Sequence, residues 1–148
     1  MMAEPLYLGI GANLGDRESN IGRAIELLSE ALGSEPVAVS GMIETTAQGF
    51  DGPDFLNCAV RFDSAAEPLE ILDRCQEVER RMGRGEHRLF DDQGNRVYES
   101  RVIDIDILLY GDRHIDTPRL TIPHPRMTER DFVMVPLRQI KDSGSSPE

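Results

Sequence analysis

The chain of 148 residues has no tryptophan, two cysteines, one lysine, and aromatic residues at only 5% of its length. Each scarcity excludes something. Cys58 and Cys75 form no CxxC pair, so neither a disulfide framework nor a cysteine zinc site is available, and two reduced thiols in a cytoplasmic protein fit best. No apolar run approaches the roughly 20 residues of a membrane-spanning helix. The opening MMAEPLYLGIGANLGD places Glu4 where a secretory leader carries basic residues, so neither a signal peptide nor an anchor is expected. With 27 acidic against 16 basic side chains, the net charge of −11 argues against nucleic acid as a partner. No GxxxxGK[ST] occurs, which excludes a Walker-type phosphate loop. GIGANLG is one residue too long for the dinucleotide fingerprint and has no parallel strand after it, leaving a glycine-lined turn as its expected role.

The length suits one domain able to bury a core without disulfides or structural metal. We expect it to span residues 1–141, with 142–148 (DSGSSPE) as a disordered tail, and to act as a monomer. Charge is unevenly spread: residues 74–148 hold 13 basic and 14 acidic side chains, residues 1–73 only 3 and 13. Arginine almost completely replaces lysine. That preference suits forked, bidentate contacts to phosphate, although any single arginine could equally be solvated surface.

Periodicity sets the elements. LYLGIGA (6–12) reads as a strand, followed by a helix capped by Asp16, with Ile21, Ala24, Ile25, Leu28, Ala31 and Leu32 at helical spacing and Gly33 as its stop. PVAVSGMIETT (36–46) and FLNCAVRF (55–62) read as strands joined by a Gly/Asp-rich loop. In the second, Leu56, Cys58, Val60 and Phe62 share one face, and Phe55, Asn57, Ala59 and Arg61 the other. A second helix begins at Pro68, carries Leu69, Leu72, Cys75, Val78, Glu79 and Met82 inward, and ends at Gly83. The polar stretch 84–100 is long enough to be a functional loop, and we expect an active-site flap there. The strand SRVIDIDILLYGD (100–112), RLTIPHPRM and a final short helix complete the chain. The order βαββαβ specifies a ferredoxin-like α+β sandwich: an antiparallel four-stranded sheet with helices packed on one face, plus a C-terminal appendage.

The aspartates of the last strand pose the chemical question. Asp104 and Asp106 are two residues apart, so their carboxylates leave the same face of a strand otherwise fit for a core. Such a pair repels itself and resists desolvation unless neutralised. One arginine could not easily satisfy both. Mg²⁺ could, since it commonly takes one or two carboxylates and completes its shell with water and substrate phosphates, and two such ions about 3.5–4 Å apart suit a same-face pair. His124 in IPHPRM is either an ordinary packed histidine or a donor to phosphate. Phe55, Asn57 and Phe132 are either core residues or the two aromatics and amide that a flat heterocycle needs.

Taken together, GANLGD, ET with GPDFLNCAV, VERRMGR, RVIDIDILLYG, RLTIPHPRM and RDF resemble, in order, the 6-hydroxymethyl-7,8-dihydropterin pyrophosphokinases of folate biosynthesis, from Leu6 to Leu137. The resemblance implies transfer of a pyrophosphoryl group from ATP to a pterin alcohol with release of AMP, and two Mg²⁺ ions on Asp104 and Asp106. It further implies phosphate contacts from Arg84, Arg101, His124 and Arg130, with Arg84 and Arg101 also catalytic, and nucleotide contacts from Gln76 and Glu79. Thr45, Phe55, Asn57 and Phe132 would form the pterin pocket, the phenylalanines sandwiching the ring. Within 85–100 no arginine is assigned, because the stretch is longer than in compact bacterial members.

Overall fold

A computed structural model describes residues 3–45, 54–83 and 103–144 of the chain. Strand β1 (Glu4–Ala12) is flanked by β4 (Phe55–Ser64) on one side and β5 (Asp104–Tyr110) on the other, both antiparallel to it. The expected strand over 36–46 is broken in two, β2 (Ala38–Val39) and β3 (Ile43–Thr45), each pairing with β4. Among the described residues the sheet therefore has five strands, in the order β2-β4-β1-β5 with β3 also on β4. Ser40 makes the break: its hydroxyl accepts the Ala59 N–H at 2.8 Å, while the next residue, Gly41, turns its own N–H to the Gln139 side chain at 2.8 Å. A short hairpin of β6 (Ile115–Asp116) and β7 (Thr121–Ile122) follows β5.

Local signals decide both early helices. In α1 (Arg17–Leu32) the Asp16 carboxylate accepts the Ser19 N–H at 3.1 Å, and Gly33 closes the helix in the left-handed conformation at φ 72°. A side chain there would be strained, which is why glycine stops the helix. Helix α2 (Pro68–Arg81) opens on proline, which has no N–H to leave unsatisfied. It buries Ile71, Cys75, Val78 and Glu79, whereas Leu69, expected inward, is exposed because Pro68 and Ile71 take the core side of that turn.

One face of the sheet carries Leu6, Leu8, Ile10, Leu56, Cys58, Val60, Phe62, Ile105, Ile107 and Tyr110 and packs against α1 and α2. The other face is not bare. After a 3₁₀ turn (Met127–Glu129), α3 (Asp131–Gly144) lays Val133, Leu137 and Ile140 on Tyr7, Ala59 and Leu108. This corrects the expected one-sided sandwich with a short terminal appendage: fourteen residues with an apolar stripe have a second sheet face to bury, so the helix becomes a third layer. Pro136 lies inside it, and it runs three residues into the stretch expected to be a tail; residues 145–148 lie outside the described residues.

Strand β5 departs from strict alternation. Leu8 pairs with Ile107 and Tyr7 with Leu109, so Leu108 is the extra residue of a β-bulge. The bulge puts both Leu108 and Leu109 on the α3 side and returns Tyr110 to the α1/α2 core.

Candidate active site

The acid pair and the glycines of the first strand meet on the face shared with α3. Across β1 and β5, Asp104 pairs with Gly11 and Asp106 with Gly9; across β1 and β4, Gly11 pairs with Asn57 and Gly9 with Ala59. Gly9 and Gly11 lie within the strand, as the reading of LYLGIGA expected, and the turn falls at the end of GIGANLG, where Gly15 has a positive φ of 66°. Side chains of Asp104, Asp106, Asn57 and Phe55 point to the same face by the period of two. Between the acids and Asn57 lie two residues without Cβ atoms. Strand spacing separates Asp104 and Asn57 by roughly 10 Å, with Gly11 as a bare floor.

Asn57 is buried, and its Nδ2 donates to Thr45 Oγ1 at 3.0 Å. Phe55 pairs opposite Thr45 and lies beside Gly11, where a Cβ would meet its ring carbon at 3.6 Å. Thr45 also lines a cleft of about 590 Å³ together with Glu44, Arg126, Glu129, Arg130, Asp131 and Phe132. Phe132, at the start of α3, forms the aromatic wall, and the Arg130 guanidinium stands 5.6 Å from its ring centroid. That distance allows a cation–π contact. Arg17 ties the cleft's outer edge by pairing with Glu44 at 2.6 Å.

His124 links the two halves. Its backbone N–H donates to Leu108 O at 3.0 Å, on the acid-bearing strand. Burial pushes its imidazole below the ordinary value, the Arg130 charge pushes in the same direction, and Asp104 opposes both. A neutral histidine within electrostatic reach of an acid and an arginine can donate one ring N–H to an anionic ligand.

Glu79 lies on the inward side of α2, as its helical spacing implied. It is buried, and its Oε2 accepts the Ile105 N–H at 2.7 Å. Gln76, three residues earlier, is exposed on the same helix. Arg84 and Arg101, the expected flap over 84–100 and all but the last residue of the expected loop AQGFDGPD lie outside the described residues. Sequence reasoning missed Gly9, Gly11 and Arg126 as site residues. Two glycines at i, i+2 within a strand signal a bare patch on one face, and Arg126 adjoins the PHP motif.

The donor set fits a hard divalent cation. Two carboxylates leave one face of β5, and among the described residues no cluster of three or more His, Cys, Asp or Glu forms a closed metal cage. Such a site supplies two oxygen ligands and leaves the remaining positions to water and phosphate oxygens.

A ferredoxin-like sheet with an acid pair on β5, its outermost strand among the described residues, together with an arginine- and phenylalanine-lined cleft, defines the class as a phosphate-transferring α+β enzyme. Within that class, the chain belongs to the 7,8-dihydro-6-hydroxymethylpterin-pyrophosphokinase family, whose model matches residues 7–142. Three relatives, each named 2-amino-4-hydroxy-6-hydroxymethyldihydropteridine pyrophosphokinase, are similar to it. That of Porphyromonas gingivalis is 39% identical over 137 residues, 91% of this chain and 89% of the relative. The Aquifex aeolicus protein is 39% identical over 143 residues, 96% and 83% of the two chains. The Bacillus subtilis protein is 36% identical over 135 residues, 90% and 76% of the two chains.

Proposed function

We propose that this chain transfers the terminal pyrophosphoryl group of ATP to the hydroxymethyl oxygen of 6-hydroxymethyl-7,8-dihydropterin, giving the pterin diphosphate and AMP, in cytoplasmic folate biosynthesis. The observation that carries the reading is the pair Asp104 and Asp106, set opposite Gly11 and Gly9, with Asp104 and the cleft's Arg130 both acting on His124. In the reaction the pterin hydroxyl oxygen attacks the β-phosphorus and gives up its proton to solvent, the bond from that phosphorus to the α–β bridging oxygen breaks, and the electron pair leaves with AMP.

Asp104 and Asp106 would hold Mg²⁺, which when bound neutralises charge along the phosphate chain. Arg130 and His124 are suited to hold phosphate oxygens by donated hydrogen bonds, and Arg84 and Arg101 are proposed for the same task. On the acceptor side, Asn57 keeps its amide fixed through Thr45 and would read the pterin edge. Phe132, with Phe55 near the floor, would stack on the ring. Gln76 is proposed to meet the nucleotide. Little covalent chemistry falls to the protein: positioning and charge stabilisation supply the acceleration. We propose that the monomer suffices.

Incubation with Mg²⁺, 6-hydroxymethyl-7,8-dihydropterin and ATP labelled at both β- and γ-phosphates tests the reading. Both labels should reach the pterin in equal amounts, with one AMP per product. Release of ADP with transfer of the γ-label alone would refute it.

A further inference from the structure

The outer edge of the acid-bearing strand is held by a buried carboxylate. Among the described residues β5 ends the sheet, with β1 on its inner side. In an antiparallel pair, successive residues alternate between bonding inward and bonding outward. Ile105 turns its N–H outward, to Glu79 Oε2 at 2.7 Å. By that alternation its neighbours Asp104 and Asp106 bond inward to Gly11 and Gly9, their register partners. The three residues 104–106 are thereby gripped from both sides, and the outer grip falls on the residue between the two acids.

Glu79 is only 6% exposed, on the inward side of α2, one turn after the buried Cys75. Its negative charge and that of Asp106 both act on the Cys75 thiol, which places the three groups in one neighbourhood. A buried carboxylate is costly unless hydrogen-bonded. Its hydrogen bond to the Ile105 N–H ties α2 to the acid-bearing strand between the two aspartates.

We infer that Glu79 is a positioning residue for the acid pair: by holding the Ile105 N–H it fixes the separation and direction of the Asp104 and Asp106 carboxylates toward a divalent cation. The inference rests on the proposed reading that these aspartates bind Mg²⁺. It assigns Glu79 to the strand, whether or not nucleotide is present. Residues that orient metal ligands in this way typically change metal affinity or activity by about 10–100-fold when altered.

The test uses the full chain with α,β-methylene-ATP, Mn²⁺ as the metal probe read by electron paramagnetic resonance, and hydrogen exchange at the Ile105 amide. Glu79→Leu removes the acceptor at similar size. It should weaken Mn²⁺ binding and lower kcat by about 10–100-fold, leave the pterin KM within about threefold of wild type, and speed Ile105 exchange. Glu79→Gln keeps an oxygen acceptor and should restore Mn²⁺ affinity and Ile105 protection to within about threefold of wild type. Should Glu79→Leu not fold, Glu79→Gln decides alone: a loss of Mn²⁺ affinity above tenfold, with Ile105 still protected, overturns the inference. So does a Glu79→Leu protein that binds Mn²⁺ normally and is impaired only in its ATP KM, the mark of a direct nucleotide contact. If wild type and Asp104→Asn bind Mn²⁺ equally, the metal reading itself fails and takes the inference with it; wild-type binding that needs Asp104 but ignores Glu79 removes the inference alone.

Discussion

Replacing Gly11 by alanine puts one methyl group into the floor of the site, and its consequences can be worked from the geometry. The new Cβ would stand 2.9 Å from Asn57 Oδ1. Nonbonded heavy atoms prefer about 3.5 Å or more, so the amide must retreat by roughly half an ångström. Asn57 is buried and its Nδ2 is tied to Thr45 Oγ1 at 3.0 Å, which leaves little freedom to comply. Overpacking of this kind costs about 1–3 kcal/mol. The lower chain entropy of unfolded alanine offsets about 0.4–1 kcal/mol. A net loss of about 1–2 kcal/mol corresponds to a fall in Tm of about 2–8 °C for a chain of this size. A displaced acceptor-reading amide should also lower kcat/KM for the pterin by about 10–100-fold, since misplacements of this order carry such penalties. Calorimetry and steady-state kinetics give both numbers. The decisive comparison is the same substitution in an Asn57→Ala background, where the clash has no partner: the cost of Gly11→Ala should shrink by more than about 1 kcal/mol, as expected for coupled neighbours. An equal cost in both backgrounds would refute the reasoning and assign the effect to the β1 backbone.

Further outcomes are expected. Asp104→Asn and Asp106→Asn should each remove most turnover, and the double variant should be little worse than either, because residues acting as one chelate are not additive; near wild-type rates at saturating Mg²⁺ in either single variant would contradict this. His124 lies below its ordinary value of 6.5 through burial and the Arg130 charge, so the unfolded chain takes the proton more readily. Its contribution to stability is therefore complete above the unfolded value and is lost as pH falls through the folded one. Arg130→Gln should raise the His124 value in an NMR titration; no movement, or a fall, would contradict the coupling. The thiols of Cys58 and Cys75 are both pushed up to about 12 by burial, with Glu79 and Asp106 adding to the effect on Cys75. Native protein at pH 8 should resist a disulfide reagent that titrates two thiols in urea, and rapid native reaction of both would contradict the packing.

Much of this architecture was legible where local chemistry decides it. Asp16 and Gly33 delimit α1 because caps act within a turn or two of chain, and the order of strands follows from the handedness of crossovers. What escaped the sequence depends on distant partners. Ser40 breaks the second strand only because Ala59, nineteen residues on, supplies the N–H. The run Ile107, Leu108, Leu109, Tyr110 conceals a bulge, since four consecutive apolar residues fit either face and show no alternation to interrupt. Helix α3 advertises its apolar stripe but not the sheet face that receives it. In the site, the acid pair was readable from its period of two, and Thr45, Arg130 and Phe132 do meet around one cleft. The grip of Glu79 on Ile105 spans 26 positions and two elements, and no local pattern announces it.

Pro136 gives α3 two mechanical parts. Having no N–H, it can offer nothing to the carbonyl of Phe132 four residues before it, and its ring crowds that carbonyl. The first turn hangs instead on the Arg130 carbonyl, which accepts from both Val133 and Met134. Beyond the proline, Leu137 and Ile140 are seated on the sheet. Phe132 thus rides on a turn that is tied at its start to the Arg130 backbone and lacks the proline's bond at its own carbonyl. An aromatic wall mounted this way can tilt to follow a planar guest while the rest of the helix keeps its place on the sheet, and the residue at the pivot is the same arginine that faces the cleft.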